Sequence, residues 1–140
     1  ENYLLALRIL EEDGVAHHLS ELAEYLRRMP AGEGIGTTLA SVSGIVHRMA
    51  KEQLVNINKS KQILLTEQGE LLATDVVRRH RLSELLLVTL LDVPLERAEI
   101  EAHRLEHGIS PELLEQIEAK LGFPDTCPYG RPIYRAGETT

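Results

Sequence analysis

Glu99, His103, Glu106 and His107 stand at i, i+4, i+7 and i+8. On an α-helix those positions project along one stripe, so two carboxylates and two imidazoles would face the same way. Such a set of oxygen and nitrogen donors suits a divalent metal ion. His80 and Glu84 are also one helical turn apart and would add another nitrogen and oxygen if the two helices pack together. A single histidine on a helix is ordinarily a surface or core residue. Six ligand-type residues in two phased clusters point to metal instead.

A chain of 140 residues makes one ordinary domain or two small ones. Its hydrophobic content is 43%, with four Tyr, one Phe and no Trp, which implies an aliphatic, helical interior. One cysteine excludes an internal disulfide, no apolar run approaches the roughly twenty residues of a membrane span, and no signal peptide is visible. The expected location is cytoplasmic. The net charge of −7 argues against nucleic-acid binding by overall charge, but the balance is uneven. Residues 1–66 hold 7 basic and 8 acidic side chains, whereas 67–140 hold 8 and 14. The acidity lies with the candidate ligands. A carboxylate-rich half repels a phosphate backbone until cations neutralise it, so metal could switch on the binding of an anion.

The elements that must position these residues are mostly helices. Tyr3, Leu4, Leu7 and Leu10 share a face of a first helix ending near Gly14, and Ser20 is placed to cap a second that turns Leu22, Ala23 and Leu26 inward. Residues 29–36 contain three glycines and a proline and read as loop. Thr38 to Glu52 reads as a third helix with Leu39, Val42, Ile45, Val46 and Met49 inward. Short β-type segments on either side of Asn58–Lys61 make a polar hairpin. Thr66 caps a long helix from about Glu67 to Leu91, ended by Asp92-Val93-Pro94. The ligand-bearing helix runs from about Leu95 to His107, and Ser110-Pro111 opens a last one that closes at Gly122. Leu85, Leu86, Val88, Leu90 and Leu91 offer more apolar surface than one helical pair needs, which implies a dimer.

Three helices followed by a hairpin with a basic tip is the order of a winged helix-turn-helix, whose third helix enters the major groove while the wing touches phosphates. The residues available to DNA are Thr38, Ser41, Ser43, Gly44, His47, Arg48 and Lys51 on that helix, with Lys59 and Lys61 on the wing. The expected fold class is mainly α: a winged helix-turn-helix over 1–66, then a helical metal-binding and dimerisation domain with a C-terminal tail over 67–140.

Val77-Arg-Arg-His-Arg-Leu-Ser-Glu84, Glu101-Ala-His-Arg-Leu-Glu-His-Gly-Ile-Ser110 and Thr126-Cys-Pro-Tyr-Gly-Arg-Pro-Ile133 resemble the diphtheria toxin repressor and manganese transport regulator family of metal-dependent transcriptional repressors. The resemblance covers nearly the whole chain. It implies a homodimer that binds palindromic operator DNA when loaded with metal, acts in the control of metal-uptake genes, and takes no membrane or small-molecule substrate. Some members add a C-terminal SH3-like domain, which this sequence does not reach. Carried over by position, Asn2, His103, Glu106 and His107 fall at the primary metal site and His80, Glu84 and Glu99 at the ancillary one. Cys127 falls where some manganese-sensing members place an ancillary ligand. Departures exist: Asn2 replaces Asp or Met, His103 replaces Cys or Glu, and Glu99 and Tyr129 stand where His is frequent. The implied ion is Mn²⁺, with Fe²⁺ or Zn²⁺ as alternatives, because the uncharged Asn2 removes an anion and two imidazoles suit the softer ions. The loop over 27–37 is also longer than the turn usual in the family.

Two other classes stand beside this one. His103-Arg-Leu-Glu-His107 matches the H-x-x-E-H signature of inverted zinc proteases, in which the glutamate polarises water. Only 33 residues follow His107, little for the substrate chamber such an enzyme needs. A small helical metal-storage or delivery protein is the other alternative. His17 and His18 carry no partner at ligand spacing and read as surface residues.

Overall fold

Residues 2–14, 18–28 and 38–138 are described by the computed structural model. They run in the order α1 (Asn2–Glu12), α2 (Leu19–Arg28), α3 (Leu39–Lys51), β1 (Val55–Ile57), β2 (Ile63–Leu65), α4 (Glu67–Leu85), a π turn (Leu86–Leu90), α5 (Leu95–Glu106) and α6 (Pro111–Lys120). The chain divides into two units between Thr74 and Asp75, so that α4 contributes its first turns to one and its last turns to the other. The loop expected over 29–36 and His17 lie outside the described residues.

In the first unit, α1 is buried without interruption from Tyr3 to Leu10. Its spacing predicts one apolar face; it is an interior element instead. Burying Arg8 within it requires compensation of the charge. Its guanidinium donates to Glu11 at 2.7 Å and to Glu70 of α4 at 2.9 Å. Burial, together with the neighbouring Glu70 carboxyl, outweighs Arg8 and pushes Glu11 up to about 7.

Helix α2 begins at Leu19, two residues earlier than a cap at Ser20 predicts. The Leu22 N–H already bonds to the His18 carbonyl, which puts Ser20 inside the first turn, where its hydroxyl donates to Glu21. Leu22, Ala23 and Leu26 are inward as expected. Thr38 caps α3, its hydroxyl oxygen accepting from the Ser41 N–H. Val42, Val46 and Met49 are buried there, but Leu39 is 57% exposed: at the first position of the helix it precedes the buried stripe.

The hairpin pairs Val55 with Leu65, Asn56 with Leu64 and Ile57 with Ile63. Val55 and Ile63 point inward and Asn56 and Leu64 outward, the alternation a two-stranded ribbon needs to cover a core. Thr66 then caps α4, accepting from the Gly69 N–H at 3.0 Å. Gly69 is demanded by packing, since a Cβ there would stand 1.9 Å from the Leu54 carbonyl oxygen.

In the second unit, Leu82, Ile109, Leu114, Ile117, Cys127 and Ile133 form the core, with Leu85, Leu86, Leu105 and Leu121 at its margin. Leu85 and Leu86, expected at a dimer surface, thus serve this core in part, whereas Leu90 and Leu91 are exposed. Ser110 caps α6 and Gly122 ends it with φ +79°. Three arginines hold the C-terminal segment. Arg78 and Arg135 clamp the buried Glu118 carboxylate at 2.8 and 2.9 Å, and Arg81 donates to the Pro132 carbonyl at 2.7 Å. No described helix is long and apolar enough to cross a membrane.

Candidate metal centre

His80 and Glu84 project from α4 one turn apart, and His103 and Glu106 from α5. Ala98 and Ala102 are fully buried on the same helix. The His80 Nδ1–H donates to Glu106 Oε2 at 2.7 Å, while His80 Nε2 lies 3.2 Å from Glu84 Oε2. His103 Nδ1 faces Glu106 Oε1 at 3.4 Å without hydrogen-bond geometry, and the two imidazole rings are 4.5 Å apart at their centroids. One donor atom each from His80, His103 and Glu106 lie within 4.8 Å of one another. None of the four side chains is more than 6% exposed.

The charges are correspondingly strained and paired. Burial pushes His80 down, but the Glu106 and Glu84 carboxylates outweigh it and hold the ring up at about 9. Burial pushes Glu106 up, and the imidazoles of His103 and His80 outweigh that and bring it to about 2. The cluster is therefore a buried imidazolium between two carboxylates, with a proton supplying the compensating charge. Even so, both ring nitrogens of His103 and Oε1 of Glu106 are buried with no hydrogen-bond partner. Each orphaned buried group costs roughly 1–3 kcal/mol, so a structure keeps several together only for a reason. Two imidazoles and two carboxylates fit a first-row divalent cation, whose donors sit about 2.0–2.2 Å from a common centre.

The other expected ligands are distributed around this cluster. Glu99 is half-buried one turn before His103. Tyr129 shares the environment of Glu84, Glu99 and Cys127: burial and then those two carboxylates raise its phenol, whose hydroxyl donates to the Leu95 carbonyl at 2.6 Å. Cys127 is 5% exposed within the apolar core. His107 is exposed at the C-terminus of α5, where the helix has already ended. Asn2 belongs to the first unit, and its amide oxygen is buried without a partner. What sequence spacing missed is the link between the two sets: His80, assigned to one, is bonded to Glu106, assigned to the other.

A second candidate surface lies in the first unit. Ser41, Gly44, His47, Arg48 and Lys51 are exposed on α3, Ser43 is half-buried, and Thr38 is engaged as the cap. Lys59 and Lys61 are exposed in the hairpin turn. His18 is more than a surface residue: its Nδ1 lies 2.8 Å from Glu21 and its Nε2 3.2 Å from the Ser60 carbonyl in that turn.

A helical unit with an interior imidazole–carboxylate cluster and unpartnered donors has the make-up of a metal-ligating domain. Residues 66–135, half of the chain, match the family described as iron dependent repressor, metal binding and dimerisation domain, and the chain belongs to that family. The iron-dependent repressor IdeR of Mycobacterium tuberculosis is 37% identical over 133 residues, covering 95% of this chain and 54% of the relative. The diphtheria toxin repressor of Corynebacterium diphtheriae is 35% identical over 133 residues, covering 95% and 55%. A manganese-dependent transcriptional repressor solved in complex with manganese has a TM-score of 0.83 at 33% identity, over 99% of this chain and 60% of that one. The manganese regulator SloR has a TM-score of 0.82 at 29% identity, again over 99% and 60%. The chain thus spans about half the length of the curated relatives it matches.

Proposed function

We propose that this chain is a metal-dependent transcriptional repressor, a homodimer that binds a palindromic operator when a divalent cation occupies the cluster at His80, Glu84, His103 and Glu106. The observation that carries this reading is the buried donor cluster, in which both His103 nitrogens and Glu106 Oε1 have no hydrogen-bond partner, on the segment that matches the metal-binding family. Glu99, Cys127, His107 and Asn2 are proposed as further donors on the resemblance. The first unit is read as a winged helix, with α3 in the major groove and Lys59 and Lys61 on phosphates. A bound ion, Mn²⁺ in this reading with Fe²⁺ or Zn²⁺ as alternatives, would supply positive charge that these carboxylates otherwise draw from a protonated histidine.

The chain's own part is to make that exchange matter. To hold a cation, His80 would give up one ring proton, Glu106 would release His80, and His103 would gain a partner for one of its idle nitrogens. Each change bears on the pairing of α4 with α5. A cation that favours one arrangement by about 1–3 kcal/mol shifts operator affinity by roughly 5- to 150-fold. The protease reading fares worse, because Glu106 is buried and bonded to His80 and offers no substrate-facing carboxylate. Storage would need no basic, exposed face on α3.

The test is operator selection from random duplex DNA with the purified chain in parallel Mn²⁺, Fe²⁺, Zn²⁺ and chelator. Selection of a palindrome in a metal lane and none in chelator is expected. Equal selection with and without metal, or none anywhere, would overturn the proposal.

A further inference from the structure

The exposed stripe of α3 is made of Ala40, Gly44, His47 and Lys51, directly opposite the buried Val42, Val46 and Met49. Two features of it are unexplained by the fold. Gly44 lies inside a helix, where glycine lowers stability relative to alanine, yet a Cβ built there meets nothing within 4 Å. Nothing among the described residues requires Gly44 to lack a side chain. His47, one turn further on, has its ring fixed, with Nδ1 2.7 Å from the Ser43 carbonyl oxygen and 3.3 Å from the Ser43 hydroxyl.

That contact decides what the ring offers outward. A carbonyl oxygen carries no hydrogen, so Nδ1 is the donor; in the neutral ring Nε2 is then an acceptor. In the major groove only adenine N6 and cytosine N4 present amine donors, while guanine and thymine present acceptors and the thymine methyl. We propose that His47 is a specificity-determining residue. Its Nε2 accepts a hydrogen bond from the exocyclic amine of an adenine or cytosine in each half-site, and Gly44 leaves the notch through which the groove edge approaches the helix. The proposal rests on the reading of α3 as the groove-entering helix. Because Ser43 already holds the ring, little rotamer freedom remains to be lost on contact.

The experiment compares the Mn²⁺-loaded parent chain with His47→Ala and Gly44→Ala in selection from a random duplex library, followed by titration of the selected duplex. The parent should prefer adenine or cytosine at one position per half-site, and His47→Ala should lose that preference alone. Replacing the base there by its analogue without the amine, purine for adenine or 2-pyrimidinone for cytosine, should weaken the parent roughly tenfold and His47→Ala less than about twofold. Which analogue matters distinguishes the two bases. Gly44→Ala should raise the melting temperature while weakening the selected duplex. An identical base preference in parent and His47→Ala, or an analogue that weakens both equally, overturns the inference and leaves α3 as the reading helix. Failure of the parent to select any sequence overturns that reading of α3, and this inference with it.

Discussion

His80 and Glu106, 26 residues apart in sequence, meet at 2.7 Å in a buried charge-assisted hydrogen bond that ties α4 to α5. The other Glu106 oxygen, Oε1, faces His103 Nδ1 at 3.4 Å without a hydrogen bond. Glu106→Gln keeps the shape and an acceptor but removes the anion. Calorimetry should find metal affinity lowered by at least about tenfold, with operator binding lost at limiting metal. A catalytic base changed to Gln would retain its metal and lose turnover instead, so undiminished metal affinity would exclude Glu106 as a ligand.

Glu11 carries a pH dependence of the first unit. Its carboxyl is raised from 4.5 to about 7 in the fold, chiefly by burial and the nearby Glu70. An acid raised on folding binds its proton more tightly in the native state, so its stabilisation is complete below about pH 4.5 and is lost as pH rises through about 7. Because the group is partly exposed, the effect should stay below about 1 kcal/mol. Thermal melts in chelator between pH 4.5 and 7.5 should show the decline in the parent and a smaller one in Glu11→Gln. Equal slopes would remove Glu11 from the account.

Lys61 adopts φ +66°, a backbone region in which a side chain is strained and glycine is not. Lysine there keeps a charge at the hairpin tip beside Lys59. Replacing both with Ala should weaken DNA binding evenly across sequences and flatten its salt dependence by up to about two counterions. Lys61→Gly should keep the fold and lower the slope by about one. A salt slope unchanged in the double variant would place the turn away from phosphates.

Gly69 packs directly against the Leu54 backbone, and here the structure leaves no space for a side chain. Gly69→Ala would force a methyl group to 1.9 Å from the Leu54 carbonyl oxygen, so the start of α4 must shift. A loss of about 1–3 kcal/mol in denaturant unfolding is expected, in contrast to the gain from Gly44→Ala. An unaffected midpoint would mean that this junction yields freely.

The helices were readable because their signals are local. Val42, Val46 and Met49 repeat at helical spacing, and Thr38, Thr66 and Ser110 cap through their own hydroxyls. The same local logic misplaced Ser20, because the helix starts two residues earlier with the His18 carbonyl taking the first bond, and could not foresee the π turn at Leu86–Leu90. Candidate donors were visible too, since Glu and His one turn apart share a face wherever the helix packs.

Residue type and spacing by themselves determined the elements, the donor chemistry and the family resemblance, for these depend on atoms within a turn or two of one another. Tertiary structure alone decided that α1 is interior, that Leu39 is outward, and that His80 and Glu84 join His103 and Glu106 in one buried cluster while His107 faces solvent. The last two of these follow from where α5 ends and how its face meets α4. Contacts of that kind bring together residues far apart in the chain, and the low dielectric they create sets the charge of His80 and Glu106.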